Sequence, residues 1–183
     1  RLQSAALVTQ RSSLVCWHRQ TGKPLSTVIS WQDTRATAYL ADIKLDPATI
    51  ADLTGLRPNA HYGASKLRWC MEHIPAVSEA MDTDQLLCGP LASYLLSAIT
   101  RQHSVAVDPG NAQRTLLWNI HTGDWDETLL SQFAIPRRVL PPVCFTQSDF
   151  GDLDLGGKVV PLVLMNGDQN AAFFGVGPLQ PDR

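Results

Sequence analysis

Cysteine pairs at redox or metal spacing are missing from this chain. Cys16, Cys70, Cys88 and Cys144 lie far apart, with no CxxC and no Cys/His cluster at zinc spacing. They read as buried free thiols of a reducing compartment. The five histidines (His18, His61, His73, His103, His121) form no HxxxH or HExxH, which argues against a metal held by side chains alone. A basic excess is missing too. Lys plus Arg number 15 against 17 Asp plus Glu, a formal net charge of −2, unlike a general nucleic-acid binder. No segment approaches the roughly 18 consecutive apolar residues of a membrane span. Arg1-Leu2-Gln3-Ser4 carries neither an initiating Met nor the apolar stretch of a signal peptide, so the chain reads as entered partway through a longer one. What remains is 183 residues, 44 % hydrophobic and 17 % charged, enough to bury the core of about one domain. Composition therefore points to a cytoplasmic α/β domain, or part of one, without nucleic-acid or membrane partners.

The opening residues predict β structure. Ala5–Thr9 and Ser13–Trp17 are apolar runs, and Ser26–Trp31 is rich in β-branched residues. The turn Arg19–Pro24, with Gly22 free to take positive φ, predicts a hairpin between the second and third runs. Asp33 reads as the N-cap of a helix over 34–44, and Asp46-Pro47 as N-cap and first residue of a helix closed by Gly55. Further helices are expected from about Ser65 to Pro75, over 75–81, from Leu91 to Ile99, and over 126–133, with another beginning at Ile135-Pro136-Arg137-Arg138. Strands are expected at 85–88, 114–120 and 158–166, and a helical turn at 170–174. This alternation is that of an α/β fold.

Few segments carry chemistry by themselves. Asp168 follows an apolar strand and Gly167, and small Ala171 and Ala172 come after it. Ligands collect at the carboxyl ends of strands in α/β folds, and a carboxylate there can take a proton from a hydroxyl. From the local pattern alone, a helix cap is the commoner reading of the same aspartate. Gln10-Arg11 ends the first strand, where a guanidinium can grip hydroxyls or a phosphate, or simply face solvent. Trp31 sits among Gln32, Asp33 and Arg35; its indole offers an apolar face to a polyol, or packs into the core. Ser65-Lys66 has no local base beside it that would make a nucleophile. Gly156-Gly157-Lys158 lacks the GxxxxGK[ST] spacing of a phosphate loop and reads as a loop entering the last strand.

Taken in order, the segments become specific. Thr9-Gln10-Arg11, Thr21-Gly22-Lys23-Pro24-Leu25, Ile29–Arg35, Ser65–Trp69, Asn111–Thr122, Asp124-Trp125-Asp126, Ile135-Pro136-Arg137, Leu140-Pro141 and Gly167–Gly175 together resemble the FGGY family of carbohydrate kinases, in its glycerol kinase-like branch. The resemblance covers nearly the whole chain. It implies a ribonuclease H-like fold of the actin/hexokinase type and ATP-dependent phosphorylation of a sugar or polyol, with Mg²⁺ carried by ATP in the full-length enzyme. It implies that Asp168 is the catalytic base and that Gln10, Arg11, Trp31 and Gln169 contact the substrate. The resemblance also implies that residues 1–183 are an incomplete first, substrate-binding domain. The family's Asp-x-Gly-Thr phosphate hairpin is absent and belongs before residue 1, and the nucleotide domain belongs after residue 183. A sheet without its first hairpin would expose an edge, inviting a homo-oligomer and leaving the isolated chain marginal in stability.

Two positions depart from the glycerol kinase pattern. Ser12 stands where those enzymes carry an acidic residue directly after the arginine. His61 aligns with a substrate-contacting tyrosine, and Tyr62 comes next. A lost carboxylate changes how acceptor hydroxyls are held. Three readings are open: a kinase inactive as this chain alone, a non-catalytic polyol-binding or regulatory remnant, and a structural domain on the same fold.

Overall fold

The computed structural model describes residues 2–175 and 177. Strand β1 (Ala5–Thr9) runs parallel to β7 (Val159–Gly167), and β6 (Asp152–Asp154) pairs antiparallel on the other side of β7. The sheet order is thus β1-β7-β6, with β1 at an edge among the described residues. A second ladder joins β2 (Leu14–His18) antiparallel to β3 (Leu86–Pro90), with Cys16 opposite Cys88.

β2 is buried on both faces, which is why its sequence is continuously apolar rather than alternating. Leu14 and Cys16 join the main core with α2 (Gly63–His73) and α3 (Pro75–Asp82), through Leu67, Cys70, Val77 and Ala80. Val15 and Trp17 turn the other way, toward Leu91 and Tyr94 of α4 (Leu91–Ile99). Ala92 and Leu96 of α4 also pack with Leu162 and Met165 of β7, so one helix ties the two sheets together. Cys16, Cys70 and Cys88 are buried free thiols as expected, whereas Cys144 is only half-buried.

Helix α1 (Pro47–Thr54) forms as its caps predict. The Asp46 carboxylate accepts the Ala48 and Thr49 N–H groups, and Gly55 ends the helix at φ 71°. The expected helices over 75–81, 91–99 and 126–133 appear as α3, α4 and α6 (Glu127–Gln132). The mixed α/β class holds.

Four expectations are corrected. The helix over 34–44 shrinks to a single 3₁₀ turn, Thr37–Leu40, with no buried residue to anchor it. Asp33 caps no helix there; its carboxylate binds the Arg35 backbone and guanidinium instead. The hairpin of the second and third runs does not form as a ladder. Cys16 donates its N–H to the Ser26 hydroxyl, at 3.0 Å, so the return segment pairs only at isolated antiparallel bridges, Leu14–Ile29 and Trp17–Pro24, while the other edge of β2 carries β3. The strand over 114–120 is reduced to β4 (Trp118–Asn119), paired with β5 (Asp124–Trp125). Before it, Thr115 donates to the Ala112 carbonyl, and Leu116 takes φ 67° after the short helix α5 (Pro109–Gln113). The helix begun at residue 135 is one 3₁₀ turn, Arg137–Val139.

Candidate active site

The parallel register sets Thr9 beside Gly167. Both strands therefore end at one level, which brings Gln10-Arg11, just past β1, against α7 (Asp168–Gly175), just past β7. A cavity of about 210 Å³ opens there, lined by Gln10, Arg11, Trp31, His61, Arg114, Asp168 and Gln169. Six of the seven residues singled out from sequence share this cavity. Tyr62 stands behind it, its ring edge-on to His61 with centroids 5.5 Å apart.

Arg11 is held from α7. Its guanidinium donates to Asn170 Oδ1 at 3.0 Å and to Gln169 Oε1. The approach is close enough that a Cβ on Gly167 would lie 2.2 Å from Arg11 Cδ, so any side chain there would have to displace Arg11. Asp168 is exposed at the mouth and starts α7 itself. Its Oδ1 accepts the adjacent Gln169 N–H at 2.8 Å, not the donors two or three residues on that an N-cap satisfies. The cap reading therefore gives way, and the carboxylate stays open to the cavity.

Trp31 is 39 % exposed and meets His61 edge-to-face at 5.4 Å, which forms one wall. Its segment is fixed by Lys66. That side chain is fully buried, and its ammonium donates to the carbonyls of Ser12, at 3.2 Å, and Ser30, at 3.0 Å. Burial lowers the Lys66 pKa to about 8 against the partial support of Asp33. The His61 imidazole is also held below its ordinary value, first by burial and then by Arg114, Lys66 and Arg11.

Sequence reasoning missed the roles of Arg114 and Lys66. Arg114 comes directly after α5, whose Asp108-Pro109 start repeats the cap-and-proline signature of Asp46-Pro47 and was open to the same reading. Its guanidinium lies over the Tyr62 ring, 4.7 Å from the centroid, with Nε 3.4 Å from the Ser12 hydroxyl. Lys66 gave no local signal, because its partners lie 54 and 36 residues away. Among the described residues no three His, Cys, Asp or Glu side chains converge as metal ligands, and no helix is long and apolar enough to cross a membrane.

Residues 2–175 match the family profile described as "FGGY family of carbohydrate kinases, N-terminal domain". The chain belongs to the FGGY family. A glycerol kinase of Paracidovorax citrulli is 37 % identical over 178 residues, covering 95 % of this chain and 35 % of that protein. One from Deinococcus radiodurans is 36 % identical over 182 residues, covering 98 % and 36 %. The chain thus spans about a third of the length of these relatives. Among solved structures, Plasmodium falciparum glycerol kinase with ADP superposes with a TM-score of 0.87 at 29 % identity, over 94 % of this chain and 35 % of that one. A xylulose kinase from Rhodospirillum rubrum superposes at 0.86 with 20 % identity, over 99 % and 38 %, a likeness of fold. The fold is the ribonuclease H-like one of FGGY N-terminal domains.

Gly167→Ala is expected to push Arg11 off Gln169 and Asn170 and to destabilise the chain by about 1–3 kcal/mol. The readouts are the denaturation midpoint and the NMR signal of the Arg11 Nε–H; both unchanged would refute the close-approach argument. For Lys66, the folded value of about 8 lies below the ordinary 10.5. Between the two the unfolded chain binds more protons, so stability from this group rises with pH across that window. Below about 8 the folded chain bears the full cost of a buried charge. The unfolding free energy of wild type relative to Lys66→Met should therefore climb from about pH 8 to about pH 10.5 in denaturant titrations. A flat difference would contradict this.

Proposed function

We propose that this chain is part of the substrate-binding domain of an ATP-dependent carbohydrate kinase, and that it supplies the acceptor side and the general base for phosphorylation of a sugar or polyol hydroxyl. One observation carries the reading. Asp168 is the sole carboxylate among the residues lining a cavity that also presents Arg11, Gln10, Gln169 and the Trp31 face. Amide and guanidinium groups can orient hydroxyls, while the indole takes the C–H side of the carbon chain.

In this mechanism Asp168 accepts the proton of the acceptor hydroxyl. That oxygen forms a bond to the γ-phosphorus of ATP as the bond to the β,γ-bridging oxygen breaks, and ADP departs. The proton then leaves the Asp168 carboxyl for solvent. Mg²⁺ brought in with ATP would supply charge neutralisation for the transferred group and would need few ligands from this chain. That requirement fits a cavity whose lining offers a single carboxylate. Arg11, Gln10, Gln169 and Trp31 position the acceptor for in-line attack, and His61 closes the wall against Trp31. Relatives that match 95 % or more of this chain are glycerol kinases about three times as long, which supports assigning the nucleotide's remaining contacts to residues outside this chain.

The neutral Ser12 supports a second reading, a polyol-binding or regulatory remnant that has lost phosphoryl transfer. The two part at Asp168. In the protein that carries this chain, Asp168→Asn is expected to lower kcat for ADP release by about 10²–10⁴-fold with KM for the acceptor little changed. No acceptor-dependent ADP release by the wild type, with acceptor binding intact in Asp168→Asn, would instead establish the remnant. The 183-residue chain alone should give no turnover in the same assay, and clear ATP-dependent phosphorylation by it would overturn that part of the reading.

A further inference from the structure

We infer that the acceptor held in this cavity carries a carboxylate, which makes the substrate class small hydroxy acids rather than neutral polyols; this rests on the kinase reading above. Arg11 and Arg114 both line the cavity, and among the described residues neither is ion-paired with a carboxylate. Arg11 uses two donors on the side-chain oxygens of Asn170 and Gln169. Arg114 reaches the Ser12 hydroxyl at 3.4 Å and otherwise rests on the Tyr62 ring. A guanidinium carries five N–H donors, so among the described residues both retain donors without a protein partner. A third cation, Lys66, lies beneath Ser12.

The carboxylates nearby offset this charge only in part. Asp168 lines the cavity, but its role is to receive the hydroxyl proton. Asp33 is bound to Arg35 at 2.7 Å, and Asp108 is buried and engaged by Asn111 at 2.6 Å; neither lines the cavity. The surplus of positive charge is felt within the site. After burial, Arg114 opposes the charge of Arg11 more than either Asp168 or Asp108 singly supports it, and after burial Arg114, Lys66 and Arg11 oppose that of His61. A ligand carboxylate would accept paired N–H bonds from a guanidinium and neutralise one of the two. A neutral polyol would leave Asp168 as the one lining carboxylate against two guanidinium groups. The cavity of about 210 Å³ holds about seven waters at ~30 Å³ each, which suits an acceptor of a few carbons.

The test compares D-glycerate with glycerol and D-erythronate with erythritol, pairs that differ by a carboxylate in place of a hydroxymethyl group. Binding is measured on this chain, and ADP release on the protein that carries it. Each acid should exceed its polyol in kcat/KM by about tenfold or more. Arg114→Gln should remove most of that preference through KM. Because Arg114 also packs on Tyr62, a second variant guards against a folding failure. Ser12→Asp returns a carboxylate beside Arg114, at a φ of 63° that aspartate tolerates, and should shift preference toward the polyols. Equal or better use of the polyols, with Asp168→Asn still inactive, would overturn the carboxylate inference and leave the kinase reading standing. No ADP release with any of the four acceptors would remove both. If Arg114→Gln lowers kcat equally for acid and polyol without moving either KM, the guanidinium serves the transferred phosphoryl group and the inference is overturned.

Discussion

The buried ammonium of Lys66 is the constraint on which the site depends. Removing an ammonium from water costs on the order of several kcal/mol, and the group is kept because two carbonyls converge on it. One belongs to Ser12, directly after Arg11; the other belongs to Ser30, directly before Trp31. A single cation thus fixes the backbone beside a guanidinium on one wall and an indole on another, from a helix whose own packing is apolar through Leu67 and Cys70. Ser13 adds to the tie, its hydroxyl accepting the Trp31 N–H at 3.0 Å.

The second constraint is the parallel pairing of β1 with β7. Parallel strands end at the same level, so the residues beyond Thr9 and Gly167 arrive together although 158 positions separate them in the chain. Gly167 makes the meeting close. With no Cβ there, the Arg11 stem lies against the strand end and its guanidinium reaches Gln169 and Asn170. Asp168 and Arg11 are then held by strand ends and a helix start rather than by free loops, which favours a preorganised site. α4 supports this from behind, because its Ala92 and Leu96 pack with Leu162 and Met165 of β7.

Local chemistry was legible wherever it closed within a few residues. Asp46, Pro47 and Gly55 set α1 by short-range capping, and the apolar run before Asp168 set β7. The failures share one cause. Residues 26–31 have strand-like side chains, but the Ser26 hydroxyl takes the Cys16 N–H that a ladder partner would need, so only isolated bridges remain. Within 34–44 only Ala36 is buried, and none of residues 37–40 is, so one 3₁₀ turn survives. The Thr115 hydroxyl and the positive φ of Leu116 break a run that composition alone reads as a strand. In each case a side-chain hydroxyl or a missing burial partner outweighed propensity.

Sequence by itself determined the family, because its motifs persist in order along nearly the whole chain, and it determined which residue types were available for a site. Gln10, Arg11, Trp31, His61, Asp168 and Gln169 were all identifiable on that ground. Tertiary structure decided what those residues do together. It set His61 rather than Tyr62 in the cavity lining, released Asp168 from capping, and brought in Arg114. The physical reason is distance along the chain. Capping and periodicity act over three or four residues, whereas the field inside the cavity comes from charges at 11, 66, 114 and 168 that only the folded sheet brings into range.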